Sequence, residues 1–203
     1  MSTLFIKKYK ILLFADNKRK KDDHIMNWKF VTFLLIILVL FSQTTIFCEN
    51  NIEYEELASF STNFNPGAVN RNYNIKLTAE LMNGVILPPG ETFSFNETLG
   101  PSSQRTGFKL SEIFIRGKKV KGYGGGVCQV SSTLFNAAEQ AGLTIVERHS
   151  HSKKVDYVEE GRDATTSYGG YDLKFTNNYN FPVLIEAKAE KNIITMTILA
   201  VFE

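Results

Sequence analysis

The sequence predicts an α+β fold, an antiparallel sheet with two or three helices, preceded by one N-terminal transmembrane helix. Three observations carry this expectation. An uncharged run, Phe30 to Phe47, stands apart from the more polar remainder. Helical spacing of apolar residues is confined to two stretches, near residues 70–82 and 131–141. The rest breaks into short apolar runs separated by turn residues, as antiparallel strands do. With 203 residues, 43% hydrophobic and 22% charged, the chain suits one domain with a leader. Its net charge of +2 sums segments of opposite sign and gives no ground for a nucleic-acid partner.

The run FVTFLLIILVLFSQTTIF spans roughly 27 Å as a helix, close to a bilayer's hydrocarbon thickness. Lys7, Lys8, Lys10, Lys18, Arg19, Lys20, Lys21 and Lys29 precede it, and Glu49, Glu53, Glu55 and Glu56 follow. Positive-inside logic places the N-terminus in the cytoplasm and the chain beyond Cys48 outside. The expected organisation is a basic cytoplasmic N-terminus (1–29), an anchor or signal segment (30–48), a short stalk (49–59) and a folded domain (60–203). Met26 is an alternative start that would leave a signal-like leader. TTIFC lacks the small residues a signal peptidase favours, so a single-pass anchor is preferred and no lipid-modified cysteine is expected.

Along the domain, Asn70 to Met82 predicts a helix with Val69, Tyr73, Leu77 and Leu81 on one face, ending near Asn83-Gly84. Pro88-Pro89-Gly90 predicts a turn before a strand from Thr92 to Phe95. Glu112 to Arg116 and Lys119 to Tyr123 predict a hairpin around Gly117-Lys118. Its residues Arg116, Lys118, Lys119 and Lys121 are either a solvated tip or a basic patch for carboxylates. A second helix is expected from Ser131 to Ala141, with Leu134, Ala137, Ala138 and Ala141 on one face. Ser131 or Ser132 would cap it and Gly142 would end it. Leu143 to Val146, Asp172 to Phe175, Val183 to Ala189 and Ile193 to Phe202 read as strands, the last two joined at Lys191-Asn192. Glu159-Glu160 reads as a charged loop.

Chemistry concentrates around one thiol. Of the two cysteines, Cys48 lies at the membrane boundary, so the domain keeps Cys128 alone. An unpaired cysteine in an oxidising compartment is paired between chains, retained for its chemistry, or simply buried. Cys128 follows Gly122-Tyr123-Gly124-Gly125-Gly126-Val127, where a glycine loop enters a helix. The helix's positive end favours a thiolate there, and glycines allow a substrate backbone close. A nucleophilic thiol needs a base. His24 falls on the far side of the membrane, whereas His149 and His151 alternate onto one face of an extended segment. Asp163 or Asp156 could orient the base. Cys128, His149 and His151 would also suit a three-ligand zinc site, but no carboxylate motif or second cysteine supports it, so no metal or cofactor is expected.

The run GGGVCQVSSTLFNAAEQAGLTIVERHSHS, followed by YVEEGRDATTSYGGYDLKFTNNYNFPVLIEA, strongly resembles the VanW domain. The match continues upstream through NRNYNIKLTAELMNGVILPPGETFSFNETLGP and TGFKLSEIFIRGKKVKGYGGG, covering roughly Phe60 to Phe202. The resemblance implies an L,D-transpeptidase acting on peptidoglycan stem peptides, with a link to glycopeptide resistance. Cys128 would be the nucleophile and His151, in H-S-x-x-V, the base. His149 ranks second, and Asp163 would orient the imidazole. Gly124, Gly125, Gly126, Gln129, Ser131, Ser132 and Arg162 would line the substrate. A non-catalytic peptidoglycan-binding module is the competing expectation.

Overall fold

The computed structural model describes residues 31–33, 35–36, 52–115 and 118–202. The chain divides into two units, Met1–Asn50 and Asn51–Glu203. In the first, residues 31–33 and 35–36 are helical. Among the described residues no helix is long and apolar enough to cross a membrane. The remainder of the expected 30–48 span, the basic N-terminus and Arg116 lie outside the described residues.

The second unit runs β1 (Glu53–Asn63), α1 (Val69–Met82), β2 (Val85–Leu87), β3 (Thr92–Ser94), α2 (Phe95–Leu99), β4 (Leu110–Ile115), β5 (Lys118–Tyr123), α3 (Val127–Gln140), β6 (Thr144–Glu147), β7 (Lys174–Thr176), β8 (Val183–Glu190) and β9 (Ile193–Phe202). It is α+β and antiparallel throughout. The strands form three sheets, ordered β1-β9-β8-β2, β3-β7-β6 and β4-β5, where the sequence suggested one. The break between the larger two falls where β7 gives way to Asn177. Its side-chain amide donates to the carbonyls of Leu87 and Phe181 at 2.9 and 2.8 Å, which turns the chain before Pro182. The β8–β9 hairpin is tight. Glu190 pairs with Ile193, and Lys191 and Asn192 take φ of 49° and 65°, the two left-handed positions that match strand twist.

The expected stalk requires correction, because residues from Glu53 onward form β1. It pairs along β9 from Glu53↔Phe202 to Asn63↔Ile193, with a bulge between Glu56 and Ala58. The reason lies in β9, where Ile194, Met196, Ile198 and Ala200 are buried. An apolar strand of that length left at a sheet edge would invite pairing with another chain, and β1 covers it.

Helix α1 forms where expected but turns a different face inward. Val69, Tyr73 and Leu81 are 74%, 46% and 41% exposed, whereas Ile75, Ala79 and Met82 are buried together with Asn74 and Thr78. The buried asparagine explains the rotation. Asn74 Nδ2 donates to the carbonyls of Lys109 and Gly125 at 2.9 and 3.1 Å, and its Oδ1 accepts from Lys109 N at 2.8 Å. The amide ties the helix to β4 and to the glycine loop before Cys128. A polar residue with its hydrogen bonds made is cheap to bury.

Helix α3 starts earlier than expected. Its N-cap is Gly126 at φ 107°, so Ser131 and Ser132 lie in the second turn and do not cap it. A Cβ on Gly126 would come within 2.8 Å of Ile75 Cγ1 and 3.0 Å of the Arg71 carbonyl. At the other end Gly142 N reaches Glu139 O and Leu143 N reaches Ala138 O, both at 3.0 Å, with Gly142 at φ 74°. This is the paired closure that a left-handed glycine permits.

These contacts separate two substitutions on α1. Asn74→Ala removes the acceptor of the part-buried Lys109 amide and one of the two donors to the Gly125 carbonyl, and should cost about 2–3 kcal/mol in urea unfolding. Leu81→Ala should stay within about 1 kcal/mol. Equal losses for the two would contradict the inward face described for α1.

Candidate functional site

Cys128 is the second residue of α3 and remains partly exposed on a helix otherwise buried from Val127 to Ala138. Its Sγ lies 3.7 Å from Thr165 Oγ1 and donates to the Thr166 carbonyl at 3.6 Å. The thiol and the imidazole of His151 are coupled electrostatically, each shifting the other. On the far side of that ring Nδ1 donates to Asp163 Oδ2 at 2.6 Å, and the His151 backbone N–H donates to the same oxygen at 2.6 Å. With Nδ1 held by the carboxylate, Nε2 is the nitrogen left for the sulfur. Asp163, only 7% exposed, is braced in turn. Arg148 Nη2 donates to its Oδ1 at 3.1 Å and Arg148 Nε to its carbonyl at 2.6 Å. The Arg148 guanidinium lies over the Phe135 ring of α3, 5.0 Å from its centroid.

The charges in this chain support one another. Burial pushes the Cys128 thiol up, but the hydrogen bond with His151, contact with the Thr166 backbone and the imidazolium charge outweigh it, and the thiol sits below its ordinary value. Burial pushes His151 down, and its bond to Cys128, the thiolate charge and Asp163 carry it above the usual histidine value. Asp163 is raised by burial and lowered further by the backbone and ring N–H groups of His151, ending below the usual carboxylate range. All three directions favour a thiolate–imidazolium pair steadied by an ionised aspartate.

The sequence folds this way because loop 161–166 is fastened to α3. Ser131 Oγ donates to the Ala164 carbonyl at 2.7 Å, Ser132 Oγ accepts from Ala164 N at 2.8 Å, and Asn136 Nδ2 donates to the Arg162 carbonyl at 2.7 Å. Thr165 N in turn donates to the His149 carbonyl at 2.8 Å. The loop therefore brings Asp163 and the 149–151 segment onto the first turns of α3.

The two histidines part company. His149 Nε2 pairs with Glu147 at 3.1 Å and its ring lies 4.4 Å from that of Tyr171, so it takes no part in the contacts around Cys128. The divergence also leaves the three-ligand zinc arrangement unassembled. Among the described residues, no group of three or more His, Cys, Asp and Glu is placed to hold a metal. Asp156 lines a neighbouring groove and Asp163 takes the place beside the ring.

The expected substrate-lining residues mostly serve the scaffold. Gln129 is buried and donates to Thr62 Oγ1 and Asn63 O at 2.9 and 2.8 Å, while Ser131 and Ser132 are fully buried. The glycines admit the protein's own backbone: a Cβ on Gly125 would strike the Ser111 hydroxyl and the Glu112 carbonyl, and one on Gly124 would meet Ser102. Val127 N and Gln129 N are bonded to Gly124 O and Gly126 O at 3.0 and 3.1 Å. Arg162 is bonded to Asn136 at 2.6 Å and paired with Glu139. It still lines a groove of about 740 Å³ with Phe60, Gln140, Lys154, Tyr157 and Glu159, beside the site and reaching it through Tyr157.

Tyr157 was not legible in the sequence. Its ring meets that of His151 edge-on, with centroids 6.5 Å apart. Burial, with the Cys128 charge adding to it, holds the phenol well above its ordinary value, so it stays protonated. Nothing in S-K-K-V-D-Y-V singled it out. Arg148 did carry a signal, as the cation immediately before the H-S-H run.

The thiolate–imidazolium pair fixes a pH response. Because the thiol is lowered, alkylation by iodoacetamide should stay fast at pH values where free cysteine is still protonated, and should fall only as acid reprotonates the sulfur. His151→Ala removes the bond and the charge that lower it, so the midpoint should move upward. His149→Ala should leave it in place. A His151→Ala profile superimposed on the parent's would dissolve the pairing.

A family model described as VanW like protein matches residues 70–199. The chain is 47% identical over 138 residues to YoaR of Bacillus subtilis (strain 168), described as an uncharacterized protein, covering 68% of this chain and 46% of that one. It is 37% identical over 115 residues to the vancomycin B-type resistance protein VanW of Enterococcus faecalis, covering 54% and 42% respectively. The match thus spans less than half the length of each of these relatives. No solved structure matches. The family model covers the glycine loop, the helix that carries Cys128 and both residues behind it, and the chain belongs to the VanW-like family.

Proposed function

We propose that this chain is a membrane-anchored, extracytoplasmic L,D-transpeptidase that forms 3-3 cross-links from the tetrapeptide stems of peptidoglycan. The observation that carries the reading is the file Cys128–His151–Asp163, a nucleophile coupled to a base whose ring is hydrogen-bonded to an orienting carboxylate. The uncharged run 30–47, basic on one flank and acidic on the other, supports the placement outside a membrane.

The chemistry follows from the order of the groups. The Cys128 thiolate attacks the carbonyl of the stem's third residue, and the tetrahedral oxyanion collapses as the C–N bond to the terminal D-alanine breaks. His151, protonated through Nε2, gives that proton to the departing amine. A thioester remains on Cys128. The side-chain amine of a second stem then attacks it, loses its proton to His151 and expels the thiolate, restoring the starting state. Val127 N and Gln129 N are already engaged, so the amides of Gly125, Gly126 and Cys128 are those that would meet the oxyanion.

A second reading draws on the relative named for vancomycin resistance and on the burial of Gln129, Ser131 and Ser132, which serve the scaffold around the thiol. On that reading the domain binds stems as an accessory module without turnover. The two separate on the covalent intermediate. Incubated with disaccharide-tetrapeptide, the full chain should show a thioester adduct by intact-mass spectrometry, with released D-alanine and 3-3 dimers. Cys128→Ala should abolish all three, and Asp163→Asn should slow turnover by about 10²- to 10⁴-fold through the unsteadied imidazole. Stem binding without adduct or product would sink the transpeptidase reading and leave the binding module.

A further inference from the structure

Arg71 is a strongly basic side chain close to the glycine loop that the arrangement above leaves without a role. It lies on α1, and its stem crosses the start of α3. A Cβ on Gly126 would fall 3.2 Å from Arg71 Cγ and 3.0 Å from the Arg71 carbonyl. Gly126 precedes Cys128 by two residues, so the stem passes within about one helical turn, about 5.4 Å, of the nucleophile's backbone. The Arg71 charge lowers the Tyr157 phenol and the Cys128 charge raises it, so both bear on that hydroxyl.

Arg71 is half-buried, yet among the described residues it has no ion-pair partner. Asp163, the carboxylate closest to the chemistry, is already held by Arg148 and His151. A guanidinium offers five donors in a fixed fork, and one drawn part-way out of water holds an incoming acceptor more strongly than one at the open surface. An unfilled fork beside a nucleophile matches a planar anion brought by the substrate.

We propose that Arg71 receives the free carboxylate of the residue that leaves when Cys128 attacks. This rests on the transpeptidase reading and adds to it a specificity for a donor whose terminal acid lies one residue beyond the attacked carbonyl. One residue spans about 3.8 Å, which suits a cation set close to, and not upon, the thiol. The terminal residue would be recognised by its charge, and a stem extended or capped there would lose that contact.

The test compares disaccharide-tetrapeptide ending in free D-alanine with the same compound ending in D-alanine amide, on the full chain. The parent should prefer the acid by about 10- to 100-fold in kcat/KM, the range for one charge-assisted contact. Arg71→Met keeps the aliphatic stem against Gly126 and should lose that factor on the acid and little on the amide. Arg71→Lys should recover part of it. A parent that takes both donors equally, or an Arg71→Met loss equal on both, would overturn the assignment. Should the parent form neither thioester nor product, the transpeptidase reading fails by itself. Equilibrium binding of the two donors to Cys128→Ala then decides for Arg71. A preference for the acid that Arg71→Met removes sustains the assignment, and equal binding or none refutes it.

Discussion

The site depends on one backbone unit, the peptide of Ala164, held from both sides by adjacent serines of a buried helix. Ser131 takes its carbonyl and Ser132 its N–H. Neither serine can move, because α3 is enclosed by the four-stranded sheet and α1 and is closed off at Gly142. A loop fastened at Ala164 carries Asp163 on one side and Thr165 and Thr166 on the other. The first steadies His151 and the other two touch the sulfur. Two hydroxyls on one helix are therefore what converts a sheet-and-helix core into a registered site. In an apolar interior such fully made bonds are rigid, since any slip leaves a buried donor or acceptor unpaired.

The same reasoning shows what was legible in the sequence and what was not. Cys128 at the glycine-to-helix junction could be read because the junction is a local backbone event. Gly126 must be left-handed, and the helix must start beside it. The β8–β9 hairpin could be read for the same reason. The inward face of α1 could not, since apolar spacing favours Val69, Tyr73, Leu77 and Leu81 while burial is decided by Asn74, whose partners lie 35 and 51 residues further on. Strand β1 was hidden because its polar sequence is dictated by the edge it occupies, and its bulge at Glu56/Ala58 breaks the alternation. His149 and His151 share a period, yet Glu147 and Tyr171 claim one and Asp163 the other. Sequence spacing puts them on one face, and tertiary partners separate them.

Arg148 shows how the electrostatics are stacked outward. A carboxylate as buried as Asp163 would by itself tend to protonate, and a protonated Asp163 would no longer draw the imidazolium toward it. The N–H groups of His151 hold the acid ionised, and Arg148 braces it from behind, itself laid against Phe135, with Arg162 on the same ring at 5.6 Å. The flat guanidinium keeps its charge while covering aromatic surface, which a lysine would do poorly. Charge thus alternates from Arg148 through Asp163 and His151 to Cys128, each group favouring the state its neighbour needs.

That alternation argues for chemistry over packing at Cys128. A thiol kept only to fill space has no use for a titratable neighbour. The bland solution at this position is an apolar side chain, with Asp163 and Arg148 replaced by residues that demand no desolvation. Here a helix buried almost throughout leaves Cys128, beside the imidazole, partly exposed. Three ionisable groups are drawn out of water behind it, at an electrostatic cost that well-packed hydrophobic residues would avoid. Stability alone does not select such a file. Lowering the thiol and holding the ring in one tautomer are what a nucleophile requires, and both follow from where Asp163 is pinned.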